Sequence, residues 1–185
     1  MRVISGNMAR RKLQSPPGND IRPTPDRIKE TLFNILQPHI YGTDFLDLFA
    51  GSGQIGIEAL SRGAEEVIFV DEGKLANDCI RKNLEMFEGS GTNFEVYRMN
   101  AVSAISRLYA MKKRFDIIFM DPPYNKELEK DVILEIERNR LLKEDGMIIV
   151  EASAETGFDY LEDTCFEITR EKIYGSNKHI FIAYK

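Results

Sequence analysis

Two periodicities divide the chain. A first helix is expected from Thr24-Pro25-Asp26, with Thr24 as cap, Pro25 in the first turn and Asp26 at the positive helix end. Ile28, Leu32, Ile35 and Leu36 supply its apolar stripe, and Pro38 stops it. From residue 44 short apolar runs alternate with amphipathic segments. Strands are expected over 45–49, 67–70, 94–99, 115–120 and 147–150, the last opened by Gly146. Helices are expected from the Gly51-Ser52-Gly53 turn to about Ser61, and over about 74–87, 101–110 and 127–138. Nearly continuous apolar strands separated by helices indicate a parallel sheet covered on both faces. The last segment differs: residues 166–170 and 180–184 flank Tyr174-Gly175-Ser176-Asn177, a hairpin that makes one strand antiparallel.

The length of 185 residues suits a single domain, residues 1–185, with a basic N-terminal segment (1–30) and a catalytic sheet (40–185). No apolar run approaches a membrane span, and the first residues carry no secretory pattern, so a cytoplasmic protein is expected. Cys79 and Cys165 read as reduced, packed thiols. His39 and His179 offer no zinc cluster and no triad, and no metal is expected.

Charge is distributed unevenly. Residues 1–30 hold seven basic side chains (Arg2, Arg10, Arg11, Lys12, Arg22, Arg27, Lys29) against Asp20, Asp26 and Glu30, a surplus of +4, which leaves −9 on the other 155 residues. Such an arm suits phosphate contact, and equally an ordinary solvated terminus.

Two motifs carry chemistry. The run Asp47-Leu48-Phe49-Ala50-Gly51-Ser52-Gly53-Gln54-Ile55-Gly56 places a G-x-G-x-x-G pattern between strand and helix, with Asp71 ending the next strand. The glycines allow a tight turn and close backbone approach, and Asp71 can accept from ribose hydroxyls. This suits a dinucleotide or S-adenosyl-L-methionine. Asp47, a charge inside an apolar strand, favours the latter, whose amino group could be its partner. Asp121-Pro122-Pro123-Tyr124 then follows the fourth strand, at the carboxyl edge of the sheet. Its prolines make a rigid, acceptor-rich turn. An exocyclic amine is a poor nucleophile because its lone pair is delocalised into the base. Accepting one hydrogen at Asp121 and the other at the Pro122 carbonyl favours a pyramidal nitrogen, and Tyr124 can stack on the base.

The Asp-Pro-Pro-Tyr turn resembles the signature of amine-directed methyltransferases. The whole chain is similar to the RsmD-type bacterial small-subunit rRNA guanine-N2 methyltransferases. The matching stretches are Arg2-Val3-Ile4-Ser5-Gly6, Arg11-Lys12-Leu13, residues 22–30, 46–53, 56–64 and 121–124, and Tyr174-Gly175. The resemblance implies a Rossmann-like class I S-adenosylmethionine methyltransferase fold with seven strands. It also implies a flipped-out guanine, methylation of its N2 amine, and S-adenosyl-L-homocysteine as product. Asp47, Phe49, Ala50, Gly51, Ser52, Gly53, Asp71, Asn100 and Asp121 are then expected at the cofactor, and Asp121, Pro122 and Tyr124 at the amine. Arg11, Arg22, Arg27 and Lys29 are expected to meet RNA, either free 16S rRNA or a 30S assembly particle, with the protein a monomer. Asn100 stands where the family usually has an acid, and Ala9-Arg10 where Arg/Lys and Gly are commoner. The alternatives are an amine methyltransferase acting on adenine, cytosine or glutamine, a nicotinamide-dependent oxidoreductase, and a non-catalytic assembly factor on the same fold.

Overall fold

A computed structural model describes residues 1–16, 25–123 and 128–185. In chain order these form α1 (Asp26–Leu36), β1 (Asp44–Leu48), α2 (Gln54–Ser61), β2 (Glu66–Asp71), α3 (Lys74–Leu84), β3 (Asn93–Arg98), α4 (Ala101–Ala110), β4 (Phe115–Met120), α5 (Leu128–Arg138), β5 (Leu142–Ser153), β6 (Phe166–Tyr174) and β7 (Asn177–Tyr184). The seven strands lie in the order β3-β2-β1-β4-β5-β7-β6. All pairings are parallel except those of β7, which runs antiparallel to both β5 and β6. This is the expected Rossmann-like methyltransferase topology with an antiparallel C-terminal strand.

Alternation along the strands sorts the core into two layers. Leu46, Leu48, Ile68, Val70, Ile118, Met120, Ile148 and Val150 face α4 and α5. Phe45, Val67, Phe69, Ile117, Phe119 and Ile149 face α1, α2, α3 and the N-terminal residues. Every residue of α2 is buried because the sheet covers one side and the N-terminal residues cover the other. Those residues fold back on themselves through an antiparallel bridge between Arg2 and Lys12. The Glu58 carboxylate accepts from the amides of Ile4 (2.7 Å) and Ser5 (2.9 Å). Gly6, with φ +85°, passes so close to Ser61 that a Cβ would stand 1.7 Å from its carbonyl oxygen. Residues 1–16 are thus a docked strap rather than a free terminus.

Several local expectations shift. Thr24 lies outside the described residues, and Pro25 is the N-cap rather than a residue of the first turn, its carbonyl accepting from Ile28 and Lys29. The stripe of α1 is centred on Lys29, Leu32, Phe33 and Leu36, with Ile28 and Ile35 at its edges. β5 begins at Leu142, four residues before Gly146. Leu142 pairs with Phe115, and the register then slips so that Ile117 pairs with Met147. The slip carries Lys143 to Asp44 (2.8 Å) and Asp116 (2.7 Å). Both cysteines are free thiols; Cys79 is buried as expected, whereas Cys165 is exposed. Among the described residues no helix is long and apolar enough to cross a membrane.

Candidate functional site

The carboxyl ends of β1, β2, β4 and β5 open into a cleft of about 800 Å³. It lies at the crossover between β1 and β4, where the sheet order reverses, the usual ligand position in such folds.

One wall is the turn after β1. Phe49 (φ +60°), Gly51 (φ +57°) and Gly53 (φ +77°) all take left-handed backbone conformations there. Phe49, Ala50, Gly51 and Ser52 line the cleft, while Gly53 sits behind them as the N-cap of α2. Gly56 has a packing role: a Cβ there would stand 2.3 Å from the Phe69 ring. Asp71, at the end of β2, accepts from the Gly51 amide (2.9 Å) and the Gly73 amide (2.8 Å), one at each oxygen. It holds the turn and also faces the cleft, and each oxygen keeps a second lone pair.

The floor is acidic. Phe69, Asp47, Phe119 and Ile149 lie side by side across the sheet in the register of β2, β1, β4 and β5. Two residues further on, the same face carries Asp71, Asp121 and Glu151. Asp47 is almost fully buried (1% exposed) and accepts from the Gly56 amide at 2.9 Å. Burial raises its pKa to about 7, opposed by that hydrogen bond and reinforced by the Asp71 charge. Asp121 is also pushed well above the ordinary carboxylate range, first by burial, then by the charges of Glu151 and Asp47. Pro122 and Pro123 line the cleft beside it. The Gln54 side-chain oxygen at the cleft is buried with no hydrogen-bond partner among the described residues. Buried carboxylates that resist ionising, with a buried acceptor to spare, suit a ligand that brings positive charge and N–H or O–H donors.

Not every expected residue is brought here. Asn100 is absent from the cleft lining. Its oxygen accepts from the Ser103 amide at 2.8 Å and caps α4. The assignment of Lys29 to RNA is corrected, because its side chain is fully buried. Its ammonium donates to the Arg2 carbonyl (2.5 Å) and faces Glu58 (3.5 Å), which also takes Arg62 (2.9 Å). No RNA phosphate can reach it. Arg11 and Arg27 are exposed. Tyr124 and Arg22 lie outside the described residues.

Other cleft residues went unrecognised in the sequence. Met1, Ser15 and Pro16 of the N-terminal strap, with Pro25 and Ile28 at the start of α1, form part of the wall. Asn83 fastens the strap to the glycine turn: its amide donates to the carbonyls of Ser52 and Gln14 (3.0 Å each), and its oxygen accepts from the Gln14 amide (2.8 Å). The far end is formed by Glu151, Ser153, Tyr174, Ser176 and Asn177. The signal for Glu151 was present, since an acid directly after Ile148-Ile149-Val150 repeats the placement of Asp121 after Met120. Among the described residues no group of three His, Cys, Asp or Glu side chains is arranged to hold a metal ion.

Comparison with known proteins covers the whole chain. A family model described as conserved hypothetical protein 95 matches residues 1–183. Ribosomal RNA small subunit methyltransferase D of Escherichia coli strain K12 is 35% identical over 185 residues, spanning 100% of this chain and 88% of that protein. YlbH of Bacillus subtilis strain 168, a candidate rRNA methyltransferase, is 40% identical over 177 residues, spanning 95% and 94%. The solved structure of yhhF from Escherichia coli, a candidate methyltransferase, superposes with a TM-score of 0.84 at 34% identity, covering 100% of this chain and 98% of that one.

Proposed function

This chain belongs to the conserved hypothetical protein 95 family, which includes the ribosomal RNA small subunit methyltransferase D proteins, and on that premise we propose that it methylates the N2 amine of a guanine in 16S rRNA, using S-adenosyl-L-methionine. The observation that carries the reading is the convergence on one sheet face of the glycine turn, Asp71, and the Asp121-Pro122 turn.

The residues present fit that cofactor. Gly51, Ser52 and Asp71 would hold its nucleoside, and Asp47, nearest the turn, would take its cationic part. When bound, S-adenosyl-L-methionine supplies an electrophilic methyl group. The protein contributes placement. A guanine leaves its stack at a cost of a few kcal/mol and enters beyond β4. Asp121 accepts one amine hydrogen and the Pro122 carbonyl the other, which aims the nitrogen lone pair at the methyl group. Tyr124 stacks on the base. The amine must shed one proton, to Asp121 or to water. Arg11, Arg22 and Arg27 meet phosphates. The protein works as a cytoplasmic monomer and leaves S-adenosyl-L-homocysteine.

The test is transfer of tritiated methyl from S-adenosyl-L-methionine to small subunits from cells lacking the protein. Label in 16S rRNA is expected with free RNA or with the 30S particle. Tight RNA binding without transfer would instead mark a non-catalytic assembly factor, and label in protein would mark a different amine substrate.

A further inference from the structure

Glu151 is a buried acid at the cleft to which the proposed methyl transfer assigns no role. It is 4% exposed and lines the cleft. Met120, the last residue of β4, and Val150 of β5 are register partners, so Asp121 leaves the end of β4 beside Glu151 on β5. Adjacent strands are about 4.8 Å apart, and residues at the same level project to the same face. The Glu151 charge is felt at Asp121. On the other side of Glu151, its register partner on β7 is His179, whose Nε2 lies 3.2 Å from Glu151 Oε2. His179 is itself 1% exposed and packs edge-on against the Tyr174 ring, 5.1 Å between centroids. The carboxylate is therefore held in place rather than free to swing into solvent.

The strand order says which ligand it meets. The glycine turn and Asp71 lie on the β1–β2 side of Asp121, and Glu151 lies on the β5–β7 side. With the cofactor on the first side, the second is left for the base. On guanine the N2 amine is flanked by N1, which bears a hydrogen. On adenine the atom beside the amine is an N1 that bears only a lone pair. Two acceptors side by side match two adjacent donors and oppose a donor beside an acceptor.

We propose that Glu151 accepts a hydrogen bond from N1–H of the target guanine and so acts as the specificity-determining residue that excludes bases lacking a donor there. The inference rests on the guanine-N2 reading above. His179 is a positioning residue for this contact, orienting the carboxylate from behind.

The test compares two small-subunit RNAs identical except at the methylated position, one carrying guanine and one carrying 2-aminopurine. Both offer an N2 amine, but 2-aminopurine has no hydrogen on N1 and no O6, so it is the change of the preference in Glu151→Gln that assigns it to N1. The full-length wild type is expected to prefer guanine in kcat/KM by at least about tenfold, the scale of a well-placed hydrogen-bond discrimination. Glu151→Gln can turn its amide donor toward an N1 acceptor, so its preference should fall about tenfold or more, through both loss on guanine and gain on 2-aminopurine. Its affinity for S-adenosyl-L-methionine should stay near wild type. Should the variant not fold, the wild-type ratio still decides, because equal turnover of the two RNAs overturns the inference. An unchanged ratio in a folded Glu151→Gln overturns it too, leaving the guanine reading intact. Failure of the wild type to methylate the guanine RNA overturns that reading and the inference with it.

Discussion

Asp47→Asn separates the cost of the acidic floor from its use. In the folded protein burial raises the Asp47 pKa to about 7, against 3.8 for an unperturbed aspartate. The folded state thus holds the proton more tightly than the unfolded state. That preference stabilises the fold fully below about pH 4 and is lost progressively as pH rises through about 7. At about 1.4 kcal/mol per pKa unit, ionised Asp47 costs the folded protein about 4 kcal/mol above pH 7. Asparagine has the same shape, keeps an oxygen for the Gly56 amide, and carries no charge. The variant should therefore match wild type near pH 4 and gain stability up to about pH 7, with a constant excess above it. At about 2–4 °C per kcal/mol for a chain of this size, the excess corresponds to a Tm rise on the order of 10 °C at pH 8. Calorimetric unfolding of the ligand-free protein at a series of pH values measures it. The same substitution should weaken S-adenosyl-L-methionine by about 10–100-fold at pH 8, the scale of a charged hydrogen bond, and weaken it less at pH 5.5. A Tm difference that does not change with pH, or a variant less stable than wild type at pH 8, would refute the reasoning.

Other expectations follow from particular side chains. Asp121→Ala should abolish methyl transfer while calorimetric titration still shows cofactor binding; near-normal turnover would remove Asp121 from the amine. Glu58→Gln strips the counter-charge from buried Lys29 and Arg62, and breaking such a network costs about 3–5 kcal/mol, readable as a lowered denaturation midpoint. Reversing charge at Arg22 and Arg27 should weaken RNA binding and flatten its dependence on salt. Lys29→Met should leave that salt dependence unchanged.

How much could be read beforehand differed from residue to residue. The helix over Ala101–Ala110 and the strand over Phe115–Met120 were legible to the residue, because helical spacing in the first and a nearly continuous apolar run in the second meet no competing signal. Asp47 stood out as a charge inside an apolar strand, but nothing local to it showed that the Gly56 amide, nine residues on, is its partner. Lys29 lies within the basic N-terminal segment, where a cation suggests phosphate contact. Its spacing to Leu32, Phe33 and Leu36 puts it on the buried face, and its counter-charge lies 29 residues away in α2. Asn100 precedes a helix, where asparagine is a preferred cap, and its oxygen caps α4. Glu151 follows the apolar run 147–150, and its closeness to Asp121 depends on β4–β5 register, which no local pattern encodes.

The central claim is that the Asp121-Pro122 turn presents the N2 amine of a guanine to a methyl donor held at the glycine turn. The most direct measurement is the identity of the labelled nucleoside after wild-type protein, tritiated S-adenosyl-L-methionine and unmodified small subunits are combined and the rRNA is digested for mass-resolved chromatography. The account predicts label in N2-methylguanosine alone, and none with Asp121→Ala. Label in a methylated adenosine or cytidine, or in N2-methylguanosine made equally well by Asp121→Ala, would contradict it.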